Sequence, residues 1–362
     1  MPSSWPRAGS LEWHAGCCRS ISNSCGERMK SSGSSKNGWE SAPERRPRPT
    51  KPVERWLTRQ LIGAMMRAGR GISWERAPAW GDALGGLCYR SMPRYRRVAL
   101  GNLRLAFGRE WDEARIRRVA RASFGHLATT MVEFFLHQPR WTDADVDRWL
   151  RWDGREHLDA ALAQGRGVIL VMAHYGNWEL FAPLLGRWGY PVHAIAREAD
   201  DPGLNGLIQE IRSRWGARIY SRRQGPRRAL AVLRSNELLV MHLDQNHAGG
   251  GVFVDFFGHP AATATGAARL AHRTGAALVC AFGIRQPDRT YRMRFLPALF
   301  ADRAAPVEAE IVHVTAELTR RIEAQISEAP EQWWWLHNRW KRRAEGLAAA
   351  GDRLAATLAE RS

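Results

Sequence analysis

The stretch Val168-Ile-Leu-Val-Met-Ala-His174-Tyr-Gly-Asn-Trp-Glu179-Leu decides how this chain is read. Six apolar residues rich in β-branched side chains end at a histidine, the pattern of a buried strand. A small turn follows, and a carboxylate stands five positions after the histidine. Asn177 suits a helix N-cap, because an asparagine oxygen accepts from the first free amides; Trp178 and Glu179 then open the helix. This places His174 just past the strand end, where ligands of open α/β sheets collect. A carboxylate beside an imidazole fixes its tautomer and stabilises the imidazolium. Helix amides nearby favour developing negative charge. The spacing by itself fits equally a loop histidine followed by a helix-capping glutamate.

Outward from this segment, short apolar runs alternate with helical ones. The strands expected are Val168–Ala173, Val192–Ala196, Leu238–Leu243, Leu278–Phe282 and Tyr291–Leu296. The helices expected are Trp178–Trp188, Leu204–Trp215, Arg227–Ser235, Thr265–Arg273 and Val307–Ser327. Alternation of this kind argues for an α/β fold, a mixed central sheet flanked by helices. Upstream the pattern is helical, with Ile116 to Leu136 carrying apolar residues at mostly helical spacing. The expected organisation is a disordered tail over 1–50, a helical, membrane-associating segment over 51–150, a single αβ core over 151–345 and a peripheral tail over 346–362. The first 50 residues are rich in Ser, Gly, Arg and Pro, and Met29 within them is a candidate start.

The formal net charge is +18. The first 50 residues hold eight Lys/Arg and four Asp/Glu, so +14 belongs to the rest. Nucleic acid, an anionic membrane surface, a phosphate-bearing substrate or a merely solvated arginine-rich surface would each account for it. No nucleic-acid recognition motif is present. Cys17, Cys18 and Cys25 lie in the tail, and Cys88 and Cys280 stand alone, so the chain has neither a Cys-x-x-Cys pair nor a disulfide framework. A reducing compartment fits this usage. There is no apolar run of transmembrane length. The segment Val53 to Ala68 gathers Leu57, Leu61, Ile62, Met65 and Met66 on one helical face, which suits either a membrane interface or packing on the domain.

Other polar residues fall at strand ends. Arg197 closes Ala194-Ile-Ala-Arg-Glu198, and Asp244 and Gln245 follow the run at 238–243. Gly251-Val-Phe-Val-Asp-Phe-Phe-Gly258 reads as a loop leading into a helix, with Phe253, Phe256 and Phe257 lining an acyl channel or belonging to the core. Trp333, Trp334, Trp335 and Trp340 surround His337, Arg339 and Lys341. That mixture suits either a membrane interface or a packing helix with one wet face.

Taken together, the blocks Arg97-Val-Ala-Leu-Gly-Asn-Leu-Arg-Leu-Ala-Phe107, Ala173-His-Tyr-Gly-Asn-Trp-Glu179, Leu243-Asp-Gln245, Gly251 to Gly258 and Pro330-Glu-Gln-Trp-Trp-Trp-Leu-His-Asn-Arg-Trp-Lys341 resemble the late acyltransferases of lipid A biosynthesis, the lauroyl/myristoyl transferase group of the lysophospholipid acyltransferase superfamily. The resemblance runs from roughly Tyr89 to Gly346. It implies that His174 is the general base and Glu179 its orienting partner, and that Asn177, Arg197, Asp244, Gln245 and Arg339 bind substrate. Asp244 would orient Arg197 or a substrate hydroxyl. The implied reaction moves an acyl chain from acyl carrier protein to a hydroxyl of a phosphorylated glycolipid, at the cytoplasmic face of the inner membrane, with no metal or other cofactor. Mannosylated phosphatidylinositol or a lysophospholipid is the alternative acceptor. Two departures from the family pattern stand out. Ala-Arg-Glu replaces Tyr-Arg-Pro around Arg197, and Asn338 replaces an arginine before Arg339.

Overall fold

A computed structural model describes residues 69–342, apart from positions 222, 223, 248 and 250, together with Gln60, Gly63 and Arg67. The expectations for the two tails and for the apolar face at 53–68 lie outside the described residues, but for those three positions. Among the described residues, four α-helices longer than one turn precede the first strand: α1 (Ala77–Ser91), α2 (Pro93–Phe107), α3 (Glu113–Val132) and α4 (Asp143–Trp149). Strands and helices then alternate: β1 (Leu150–Asp153), α5 (Arg155–Leu162), β2 (Val168–Gly176), α6 (Phe181–Arg187), β3 (Val192–Ala196), α7 (Pro202–Ser213), β4 (Arg218–Ser221), α8 (Gly225–Arg234) and β5 (Leu238–His242). The order continues with β6 (Val252–Phe256), β7 (His259–Thr263), α9 (Gly266–Thr274), β8 (Ala277–Arg285), β9 (Tyr291–Phe295) and α10 (Val307–Glu328).

Seven strands form one sheet in the order β1-β9-β8-β2-β5-β3-β4, and β6 and β7 form a separate hairpin. β8, β2, β5, β3 and β4 are parallel. β9 runs antiparallel to β8, and β1 runs parallel to β9, so the sheet is mixed. The apolar run at 168 is its centre. Side chains alternate across a strand, so Ile169, Val171, Ala173 and Tyr175 enter one core with Leu103, Phe124 and Leu318. Val168, Leu170 and Met172 enter a second core with Leu158, Leu184 and Tyr291. Helices therefore cover both faces, as the uninterrupted apolar sequence requires.

Several boundaries differ from the sequence reading, each for a local reason. β2 continues to Gly176 rather than stopping at Ala173, with a register shift against β8 between Met172 and Gly176. A Cβ at Gly176 would lie 1.9 Å from the Gly283 carbonyl oxygen, and its φ is +58°, so only glycine allows this approach of two backbones. His174 thus sits inside the irregular end of the strand. A 3-10 turn, Trp178–Leu180, precedes α6, and the Asn177 side chain makes no cap bond. The helix expected to reach Leu136 is α-helical to Val132 and continues as a π turn over Glu133–His137. The segment read as a loop at 252–258 is the start of a hairpin. Phe257 and Gly258 both take positive φ, as a two-residue hairpin turn requires. The edge strands β1 and β4, four residues each, are too short to show a period.

Candidate active site

β2 and β5 are neighbours, so their ends deliver His174 and Asp244 to one place. His174 Nδ1 and Asp244 Oδ1 are 2.8 Å apart. The second carboxylate oxygen accepts the His174 backbone N–H at 2.7 Å and the Trp333 indole N–H at 2.8 Å. Burial by itself would push the Asp244 pKa up; the imidazole and the hydrogen bonds from His174 outweigh it and hold the carboxyl well below the usual range. An ionised Asp244 places the His174 proton on Nδ1. That leaves Nε2, whose polar neighbour is the Gln245 amide nitrogen at 3.5 Å.

The His174 ring is walled by aromatics. Trp178 and Trp334 each lie 5.1 Å from it, centroid to centroid, and His242 lies 4.5 Å away. The Trp334 backbone N–H donates to the His174 carbonyl, so the C-terminal segment clamps the strand end. These groups line a cavity of about 640 Å³, which runs past Phe181, Ile195 and Val240 and takes in Arg197, Arg212, Gln245 and His337. It joins an apolar wall to a polar end, the arrangement of a pocket for an amphiphile. Burial, reinforced by the nearby His174, depresses the His242 pKa to about 3, so this second imidazole stays neutral.

Glu179 lines the same cavity but serves another partner. Its carboxylate takes a bidentate ion pair from Arg212 on α7, at 2.6 and 2.8 Å, and the Trp178 indole N–H at 3.2 Å. Among the described residues no hydrogen bond joins Glu179 to His174. Glu179 was expected beside the histidine; in this structure the carboxylate hydrogen-bonded to His174 is that of Asp244. Arg197 is exposed at the cavity edge and pairs with Asp200 at 3.1 Å.

Two other expected site residues are placed away from the cavity. Asn177 is fully buried and donates to Glu133 at 2.8 Å. Arg339 is fully buried beneath the hairpin, donating to the Ala262 and Gln245 carbonyls and the Thr263 hydroxyl, so it braces the fold. Trp333, Trp335 and Trp340 are buried in the core with α2 and α3, which rules them out as an interfacial belt; Phe256 joins that core, and Phe257 packs against it. Sequence reasoning missed Arg212, His242, Trp178 and Trp334. His242 carried a signal, since it stands two residues before Asp244 and its side chain shares that parity. Arg212 carried none among so many arginines. Among the described residues, no group of three or more His, Cys, Asp or Glu is placed to hold a metal ion.

The model of the bacterial lipid A biosynthesis acyltransferases matches residues 53–342. The chain belongs to that family. It is an acyltransferase, and its His174–Asp244 cavity lies within the matched span. It is 30% identical over 299 residues to the lipid A biosynthesis lauroyltransferase of Escherichia coli (strain K12), covering 81% of this chain and 94% of that one. It is 28% identical over 272 residues to the palmitoleoyltransferase of the same organism, covering 74% and 85%. A phosphatidylinositol mannoside acyltransferase of Mycobacterium tuberculosis (strain CDC 1551 / Oshkosh) is 30% identical over 198 residues, 52% of this chain and 58% of that one.

Proposed function

We propose that this acyltransferase moves a fatty acyl chain from the thioester of acyl carrier protein to a hydroxyl of a phosphorylated glycolipid, a lipid A precursor, using His174 as general base. The observation that carries this reading is the His174–Asp244 pair in the cavity, with Nδ1 committed to the carboxylate and Nε2 left over. Nε2 takes the acceptor hydroxyl proton as that oxygen attacks the thioester carbonyl. The tetrahedral oxyanion collapses, the carbon–sulfur bond breaks, and the carrier thiolate recovers the proton from His174. Asp244 stabilises the imidazolium between these steps.

Two arginines supply positive charge. Arg212, steadied by Glu179, lies in the cavity wall near the developing oxyanion, where a fixed cation is worth most. Arg197 at the edge meets an acceptor phosphate, to which guanidinium presents a planar fork. Gln245 contacts the attacking hydroxyl. The apolar wall around Ile195 and Val240 takes the acyl chain. The site of action is the cytoplasmic face of the inner membrane. Among the described residues no helix is long and apolar enough to cross a membrane, which accords with peripheral attachment.

The likeness to the mannoside acyltransferase supports a second acceptor, mannosylated phosphatidylinositol. Purified protein assayed with a panel of acyl carrier proteins and both acceptors separates the two. In that assay His174→Ala loses about 10²–10⁴-fold in turnover while keeping its thermal midpoint. Near-normal turnover by the variant would overturn the assignment of the base.

A further inference from the structure

The described residues contain nine exposed large apolar side chains, and six of them fall between Trp80 and Leu105. α1 shows why. Its inner face is Ala77, Gly81 and Gly85, laid so close on α3 that a Cβ at Gly81 would meet Thr129 Oγ1 at 1.9 Å, and one at Gly85 would meet the Gly125 backbone at 2.5 Å. Small residues inward put the large ones outward. Trp80, Leu84 and Leu87 recur at helical spacing and are 55%, 43% and 60% exposed. Met92 and Tyr95 continue the surface across the turn into α2, and Leu105 lies further along α2.

The charge on this hairpin is one-sided. From Ala77 to Phe107 there are five arginines and a single acid, Asp82, whose carboxylate points toward Gly125 of α3. Arg90, Arg94 and Arg97 are exposed, and none forms an ion pair among the described residues. Between α2 and the C-terminal segment runs a groove of about 600 Å³ lined by Arg94, Arg97, Leu105, Asn338 and Trp340, with no acid in it. The Trp340 indole N–H is buried there without a partner.

We infer that the α1–α2 hairpin is the surface by which this protein docks on an anionic bilayer, with Trp80, Leu84, Leu87 and Tyr95 entering the headgroup layer and Arg90, Arg94 and Arg97 binding lipid phosphates. Tryptophan and tyrosine settle at such interfaces, and unpaired arginines are drawn to anionic headgroups. The exposed apolar side chains of α1 run directly into Arg90, Arg94 and Arg97, which alternate with Met92 and Tyr95; an apolar strip edged by unpaired cations fits a bilayer of anionic headgroups, which favours a lipid surface over an acidic protein. This relocates membrane contact from the tryptophans at 333–340, which are mostly buried. The inference takes its purpose from the acyltransfer reading but is measured without any acyl donor or acceptor, so either can fail alone.

The test is cosedimentation of the full chain with vesicles of phosphatidylcholine alone, or with about a third phosphatidylglycerol. Replacing Arg90→Gln, Arg94→Gln and Arg97→Gln together lowers partition into the anionic vesicles roughly a hundredfold and flattens its salt dependence. Replacing Trp80→Ser, Leu84→Ser and Leu87→Ser together lowers binding to both vesicle types. Wild-type binding by either folded variant overturns the proposal. So does a variant that keeps vesicle binding and instead loses retention on immobilised acyl carrier protein.

Discussion

Two buried carboxylates flank the end of β2, and they do different things. Asp244 faces an imidazole that keeps a nitrogen in the cavity. Glu133, on the π turn after α3, gathers three donors on one oxygen: Arg285 and Asn177 donate to it at 2.8 Å, and the Tyr291 hydroxyl donates a short bond. Arg285 also reaches His126 at 2.8 Å. Both clusters hold an acid out of water among compensating donors. One ends in an imidazole nitrogen that can take a proton; the other leaves buried and unpaired only the Arg285 Nε–H and the Asn177 Oδ1, neither of which is a base. A buried acid with basic partners is therefore not diagnostic of chemistry; a free basic nitrogen facing a cavity beside an ionised acid is.

Three perturbations test this contrast. The largest effect is expected at Asp244→Asn. The amide preserves an acceptor for Trp333 but removes the charge that fixes the His174 tautomer, so turnover falls by about 10²–10⁴-fold with a cooperative fold retained. A loss below about tenfold would show that Asp244 is only a brace. At Glu133 the signature reverses. Glu133→Ala strands a buried Arg285, costing about 3–5 kcal/mol of stability in denaturant unfolding, while turnover per folded molecule stays near wild type. A catalytic collapse without loss of stability would merge the two clusters into one machine.

The smallest effect is read by pH. Burial, reinforced by Arg285 for His126 and by His174 for His242, lowers both folded-state pKa values to about 3 from 6.5. The unfolded chain therefore binds these protons first. Their contribution is fully present above pH 6.5 and is lost as pH falls from there toward 3. By pH 5 each histidine costs about 2 kcal/mol. Urea titrations at pH 7, 6 and 5 should show that decline, and His126→Gln should remove part of it. Stability that is level across this window would mean that one or both rings is already protonated in the native state.

How much of this was visible in the chain follows from the range of each interaction. The β2 run, the long α10 and the strand-end position of Asp244 are local patterns, and they were legible. The partner of Glu179 was not. Proximity in sequence suggested His174, yet the turn after Gly176 directs the carboxylate to Arg212, 33 residues on. Arg339 and Asn177 looked like binding groups because their side chains suit ligands. Tertiary burial spent them on backbone carbonyls and on Glu133 instead. The tryptophans after Pro330 mislead for a related reason: an indole beside an arginine looks the same in sequence whether it faces lipid or core.

The bond from the Trp333 indole to Asp244 has a kinetic meaning. It spans 89 residues, and the His174–Asp244 contact spans 70. Closing loops of that length costs entropy before any contact repays it. The β2–β5 ladder closes a loop of the same length as the His174–Asp244 contact, so the reactive geometry forms with the sheet and not ahead of it. A chain ending before Trp333 lacks the donor that holds the carboxylate beside its histidine. Competence for the reaction is in this sense a readout of a finished molecule.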